Sequence, residues 1–343
     1  MNLSVSAKSV LAKVSGICGI PEIAIRNRAG KRFLILMYHR VVPRGRESDP
    51  MQAGMYVEPD TFEMHIRYLE RHFQLIPFSE KHFSSRFDGT SPYSRPACIL
   101  TFDDGWRDFH AFAYPVLKRH NVPATVFIPT RYVGTEEWFW TDRLALLLTG
   151  VRTSTKRERQ GNGSGRAVSE NIASLVGRYE ERLEAAIGML KGLRDEEIDE
   201  ILSELKEGSA MESFPRCRAF LNWDEIREMK GSGLVSFGSH THNHRILVHL
   251  EEEEIRNEMT LSREILLREG AVEPSFIPFC YPNGNANGRI VEMVRENGYH
   301  AAVSTDIGWN REGSTPFDLK RVPIHQDMTG TREMFACRVA GIL

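Results

Sequence analysis

Two kinds of apolar pattern alternate along the chain. Phe33-Leu34-Ile35-Leu36-Met37-Tyr38, Ala97-Cys98-Ile99-Leu100-Thr101-Phe102 and Pro123-Ala124-Thr125-Val126-Phe127-Ile128 are short, nearly unbroken apolar runs. Their length and lack of polar alternation predict strands buried on both faces. Between them, Phe62, Ile66 and Leu69 recur at helical spacing behind the capping candidates Asp60 and Thr61, so Pro59 to Phe73 predicts a helix, as does Phe109 to His120. The same rhythm resumes later, with helices at Trp223–Met229, Glu252–Glu269 and Arg289–Asn297 and strands at Leu234–Phe237, Ser275–Cys280 and Ala301–Ser304. Strands alternating with helices imply βα units, hence an α/β fold with a parallel sheet or barrel.

The rhythm breaks between about 138 and 217. A Gly/Ser/Arg-rich stretch, Arg152 to Arg166, reads as a mobile loop and leads into long helical patterns from Ile172 to Lys206. There Leu183, Ile187 and Leu190, then Ile198, Ile201 and Leu205, are spaced as packing stripes. The segment is a mostly helical insertion within one domain spanning 33–327, with an N-terminal extension at 1–32 and a C-terminal tail at 328–343.

Composition narrows the function classes. Forty-four Lys plus Arg balance 46 Asp plus Glu, for a net charge of −2, which removes the electrostatic footprint of a nucleic-acid binder. Cys18, Cys98, Cys217, Cys280 and Cys337 are scattered and never form C-x-x-C, so a disulfide framework and a thiolate zinc site are both excluded in favour of buried reduced thiols. No stretch has the length and apolarity of a signal peptide or a transmembrane helix, so the expected location is cytoplasmic. A short amphipathic helix around Val5 to Val14 leaves peripheral membrane contact as an alternative.

Chemistry concentrates at the ends of the expected strands, where α/β sheets and barrels place their sites. Thr101-Phe102-Asp103-Asp104-Gly105 puts two adjacent carboxylates there; one can bind a cation while the other does acid-base work. After Phe237 comes Ser239-His240-Thr241-His242-Asn243-His244, in which His240 and His244, four apart, converge on one cation if the loop is helical, with His242 facing away. With Asp104 they make an open site of two histidines and one carboxylate for Zn²⁺ or another divalent metal. The third segment, Phe279-Cys280-Tyr281-Pro282-Asn283-Gly284, runs from a strand into a turn whose N–H groups can aim at an oxyanion.

TFDDG, then His-Thr-x-x-His, then a strand ending Tyr-Pro-x-Gly resembles the polysaccharide deacetylases, the NodB-homology group or carbohydrate esterase family four, over roughly Phe33 to Asp327 without the insertion. The resemblance implies a distorted (β/α) barrel and metal-dependent removal of acetyl groups from amino sugars, most often N-acetylglucosamine units. It carries the catalytic base onto Asp103 and the metal ligands onto Asp104, His240 and His244, with Zn²⁺ first and Co²⁺, Ni²⁺ or Mn²⁺ as alternatives. Tyr281, Pro282 and Asn283 would line the substrate, the Asn283 N–H facing the oxyanion. The opening strand ending Met37-Tyr38-His39 looks like the circularly permuted branch, which favours His39 as general acid over His325 of Val322-Pro323-Ile324-His325. The third motif lacks its usual Arg beside the catalytic Asp, and Arg321 is the expected substitute. Asp306-Ile307-Gly308-Trp309 matches the fourth motif, with Trp309 either a wall for the acetyl methyl group or a core residue. The aromatic cluster Trp138-Phe139-Trp140 either stacks on a sugar or packs under the insertion. The expected partner is an acetylated sugar or oligosaccharide, lipid-linked in one version. Alternatives are O-acetyl esters or cyclic amides at the same metal, or a non-catalytic carbohydrate binder, which the missing Arg favours.

Overall fold

Each unbroken apolar run of the sequence is a strand, and its apolarity is needed because both faces are covered. In chain order the strands are β1 (Arg32–Tyr38), β2 (Arg40–Val41), β3 (Tyr56–Val57), β4 (Gln74–Leu75), β5 (Ala97–Phe102), β6 (Ala124–Ile128), β7 (Val235–Ser239), β8 (Pro278–Cys280), β9 (Ala301–Ile307), β10 (Asn310–Arg311) and β11 (Leu319–Pro323). The computed structural model describes residues 5–29, 32–43, 54–79, 94–150, 164–207, 209, 214, 217–311 and 313–343. Two compact units divide the chain: Met1–Pro43, Tyr56–Thr135 and Ala219–Leu343 form one, Arg44–Met55 and Glu136–Arg218 the other.

In the first unit, β1, β5, β6, β7, β8, β9 and β11 pair in parallel in that order, and β11 returns to β1. This closes a (β/α) barrel. The β1–β5 seam runs in register from Phe33↔Ala97 to Tyr38↔Phe102. β4 lies along the start of β5, and β10 runs antiparallel beside Arg32 and Phe33. Alternate residues of each strand go to different cores, as the pleat requires. Phe33, Ile35, Ile99, Phe127, Cys280, Val303 and Leu319 share one cluster; Leu34, Leu36, Leu100, Phe102, Val126, Phe279 and Val322 share the other, with the surrounding helices.

Those helices are held at their starts by side-chain caps. Asn222 accepts from Glu225 N at 2.8 Å and Glu225 accepts from Asn222 N at 3.0 Å, a capping box for Trp223–Gly231. Asn287 and Thr331 cap Gly288–Glu296 and Arg332–Val339 in the same sense. The helix expected over Phe109 to His120 instead opens with a π-helical turn, Phe109–Ala113, before the α-helix Tyr114–His120. Pro115 explains the change, since it has no N–H to donate into a regular α-helical turn.

The helix expected around Val5 to Val14 runs on to Ile17, and the C-terminal end carries a helix, Arg332–Val339, that the apolar pattern did not delimit. Val5–Ile17 packs Ala12 against Met334 and Cys337 of Arg332–Val339, and Phe335, Val339 and Ala340 join the outer core. Cys98, Cys280 and Cys337 are buried free thiols, but Cys18 and Cys217 are exposed, which corrects the expectation that all five are buried.

The second unit packs Trp140–Gly150, Ser164–Ala173, Tyr179–Leu190 and Asp195–Glu207 around Leu144, Leu148, Leu183, Ile187, Ile201 and Leu205. Both helical stripes therefore face this core. Phe139 is buried and Trp140 packs on the same core, while Trp138 Nε1 donates to the Cys217 carbonyl. The stretch read as a mobile loop lies, over 151–163, outside the described residues.

Candidate active site

The pleat that fills the barrel also delivers the site. Continuing the inward parity of β5 past Ile99 and Thr101 reaches Asp103; continuing that of β1 past Ile35 and Met37 reaches His39. On β11 the same parity places Arg321, and Cys280 is inward on β8. Arg321 is wholly buried, and its five N–H donors all find acceptors. Nη1 donates to Asp103 Oδ1 at 2.7 Å and Nη2 to Asp103 Oδ2 at 2.8 Å, a bidentate fork, while Ser304 O, Thr101 Oγ1 and Cys280 Sγ take the other three. Burial alone would raise the Asp103 pKa, but the Arg321 charge and its hydrogen bonds outweigh it and hold the carboxyl below its ordinary value.

Asp104 has the opposite parity and would point out of the barrel. A left-handed backbone, φ +71°, turns it back over the mouth, and Gly105 follows at φ +65°. A Cβ on Gly105 would meet Ile128 Cγ2 at 2.5 Å, so the turn requires glycine for space as well as for angle. Asp104 Oδ1 then lies 3.4 Å from His240 Nε2 and 3.2 Å from His244 Nε2, and the two nitrogens are 3.2 Å apart. Trp106 Nε1 donates to the other oxygen, Oδ2, at 3.0 Å. Burial opposes ionisation of Asp104, yet the close His240 and His244 rings hold its pKa well below the carboxylate range.

The two histidines do not converge through a helix. The loop is irregular, with Thr241 at φ +66° and His244 at φ +61°. Glu258, buried in the middle of Glu252–Arg268, holds it by accepting from His242 N at 3.0 Å, Asn243 N at 2.7 Å and Asn243 Nδ2 at 2.6 Å. His242 turns aside to Thr130 Oγ1 at 2.9 Å. The His240 ring is fixed by Nδ1–H donating to the Cys280 carbonyl at 2.9 Å, a tautomer assigned from that contact, which leaves Nε2 as a lone-pair donor to a metal.

The three donor atoms fit a divalent cation. Ligands about 2.0–2.1 Å from a tetrahedral metal stand about 3.3 Å from one another, and the observed edges are 3.2, 3.2 and 3.4 Å. Two neutral imidazoles and one carboxylate are the donor set of an open hydrolytic site.

Comparison with known proteins bears on the family and the fold. The sequence profile described as polysaccharide deacetylase matches residues 90–302. The chain belongs to the polysaccharide deacetylase family. YxkH of Bacillus subtilis, named provisionally as such a deacetylase, is 28% identical over 111 residues, which span 32% of this chain and 36%, about a third, of the relative. Two solved structures share the fold: the deacetylase PplD of Streptococcus pyogenes in complex with acetate (20% identity, TM-score 0.56, 87% of this chain and 94% of that one) and IcaB of Ammonifex degensii (18%, 0.55, 89% and 97%).

Set against the deacetylase motifs, the structure brings some expected residues together and leaves others out. His39 Nε2 is 4.0 Å from Asp103 Oδ2. His325 sits at the end of the neighbouring strand, with Nδ1 buried 3.8 Å from Asp327 Oδ2 and without a hydrogen-bond partner; burial lowers its pKa. Tyr281 is not a substrate side chain: its ring packs on Phe279, its hydroxyl donates to Phe317 O at 2.8 Å and its N–H to Val303 O. Its parity is outward, the reverse of Cys280. Pro282 is buried, and Asn283 is exposed at φ +56°, the left-handed corner of the turn. Trp309 is no acetyl wall either. Its ring stacks on Phe73 at 5.9 Å, lies under Arg28 and donates to Val339 O at 3.0 Å, all outside the barrel. Glu258, Trp106 and Cys280 are site-shaping residues the motifs did not single out. Glu258 left one signal, an acid on the apolar stripe Ile255, Met259, Leu266 of its helix.

Proposed function

We propose that this deacetylase-family chain is a metal-dependent hydrolase that removes acetyl groups from N-acetylated amino sugars in a polysaccharide or its precursor. The observation that carries the reading is the triangle Asp104 Oδ1, His240 Nε2, His244 Nε2, with edges of 3.2–3.4 Å, beside a carboxylate held by Arg321. Asp104, His240 and His244 would hold the cation, Zn²⁺ first by donor type, with Co²⁺, Ni²⁺ and Mn²⁺ as alternatives. A bound cation would supply Lewis acidity, polarising the acetyl carbonyl and acidifying the attacking water.

The remaining steps belong to the chain's own groups. Asp103, ionised and fixed by Arg321, takes the water proton as the carbonyl carbon is attacked. The Asn283 N–H is the donor for the developing oxyanion. His39, within 4.0 Å of Asp103, gives a proton to the leaving amine, releasing acetate and a free amino sugar. His325 ranks second for that role because its near polar neighbour is Asp327 and not Asp103. The acetate in the PplD structure is what such a reaction releases. The bidentate Arg321–Asp103 pair supports catalysis over sugar binding alone, since it supplies from β11 the arginine that the third motif lacks.

The test is acetate release from N-acetylglucosamine oligomers by the full chain loaded with Zn²⁺ or Co²⁺. Asp103→Asn is expected to lower kcat by about 10²–10⁴-fold with the metal still bound. Metal-loaded protein that releases no acetate from any N-acetylhexosamine oligomer, or an Asp103→Asn variant that keeps the parent rate, refutes the proposal.

A further inference from the structure

The helix Val5–Ile17 is built inside out. Against Arg332–Val339 it turns small residues, Ala12, Ser15 and Gly16, and to solvent it turns Val10, Leu11, Val14 and Ile17. Val14 is 56% exposed and Ile17 86%. The next helix, Ile20–Arg26, continues the stripe with Ile20 and Ile23, both exposed. These six side chains are the majority of the eleven exposed large hydrophobics among the described residues, gathered within fourteen positions of one sequence. An ordinary surface helix buries its branched aliphatics and shows its small polar residues, and a cluster of this kind marks a contact surface.

Charge selects the occupant. Lys13 and Arg26 are the exposed bases beside the stripe, Lys8 and Arg28 add positive charge from the side that faces the protein, and the segment's one acid, Glu22, lies 3.5 Å from Arg332. The segment is therefore positive in a chain whose net charge is −2. A second copy docking by two-fold symmetry would set one positive face against another, whereas an anionic bilayer takes up the aliphatic side chains and attracts the bases together. Among the described residues no helix is long and apolar enough to cross a membrane, so the contact is one of lying on the surface.

We propose that the helices Val5–Ile17 and Ile20–Arg26 form a monotopic docking face for an anionic lipid surface, with Val10, Leu11, Val14, Ile17, Ile20 and Ile23 entering the acyl boundary. The inference does not rest on the reaction proposed above.

The experiment is sedimentation of the full chain with phosphatidylcholine vesicles, with and without about 30 mol % phosphatidylglycerol. The expected result is binding to the anionic vesicles that weakens with added salt. The pair Val14→Asp and Ile17→Asp should lower the partition coefficient at least about tenfold, and Lys13→Glu with Arg26→Glu should act alike. Melting temperatures equal to the parent's identify the loss as one of docking. Val14→Ser with Ile17→Ser is the second variant, milder in charge, for which a several-fold drop is expected. Absence of binding to anionic vesicles, or binding that all three variants retain, overturns the proposal. So does a parent dimer in light scattering that Ile17→Asp converts to monomer, since the face would then be covered by a second copy.

Discussion

Replacing Arg321 by Met removes the guanidinium and keeps most of the apolar stem. Asp103 would lose two charge-assisted bonds, of 2.7 and 2.8 Å, at a position where both side chains are almost fully buried. Breaking a buried pair by deleting one member costs about 3–5 kcal/mol, because the survivor's charge stays in a poor dielectric without compensation. The other basic neighbours, His240 and His39, act on Asp103 through charge alone, with His39 4.0 Å away, and make no hydrogen bond that could replace the fork. Arg321→Lys should recover little, with three donors in place of the five now used. Asp103→Asn orphans the arginine and should cost about 2–3 kcal/mol. The double variant removes both charges together, so its cost should fall short of the sum by about 2 kcal/mol or more. Urea unfolding of the metal-free protein at neutral pH, compared through midpoints at constant slope, measures each corner of the cycle. If the two effects add to within about 0.5 kcal/mol, the carboxylate is not held by the fork and the account of Asp103 collapses.

Other consequences can be checked alongside. Glu258→Ala should loosen the loop that carries His240 and His244 and weaken Zn²⁺ binding by about 10–100-fold in a chelator competition, although Glu258 touches no ligand atom. Unchanged affinity would contradict that role. Trp309→Ala should lower stability by about 2 kcal/mol and leave KM for an acetylated oligomer unaltered; a raised KM with normal stability would restore the acetyl-wall reading. His65 is buried between Tyr38 and Phe335, and burial lowers its pKa to about 3 in spite of the bond to Thr329 O. The unfolded chain then binds more protons below its own pKa of about 6.5, so this contribution is whole above that pH and falls by about 1.4 kcal/mol per unit beneath it, until about pH 3. Urea midpoints at pH 7.5 and 5 should differ less in His65→Gln than in the parent; equal differences would dismiss the assignment.

The unbroken apolar runs, alternating with helical patterns, pointed to strands covered on both faces, so a parallel sheet or barrel was legible in the sequence and the resemblance to the deacetylases chose the barrel. Alternation then carried the sequence further than its motifs did. Asp103, His39 and Arg321 occupy the inward parity of β5, β1 and β11, and Tyr281 the outward parity of β8, a distinction visible in the residue numbers once the strands are placed. β11 itself was hidden because Leu-Lys-Arg-Val-Pro reads as polar; its arginine is buried only through the pairing with Asp103.

What tertiary structure alone decided lies in the non-repetitive backbone and in contacts between distant segments. A left-handed φ at Asp104, Thr241 and His244 has no signature in residue spacing, yet it sets which side chains converge on a cation. Trp309 fits a motif by its neighbours in sequence but packs against Phe73, Arg28 and Val339, none of which spacing could have brought to it. Local patterns depend on which face of one element is buried, and the sequence records that directly. Convergence depends on how turns re-aim side chains and on which distant partner supplies the opposite charge, and those are settled only when the barrel closes.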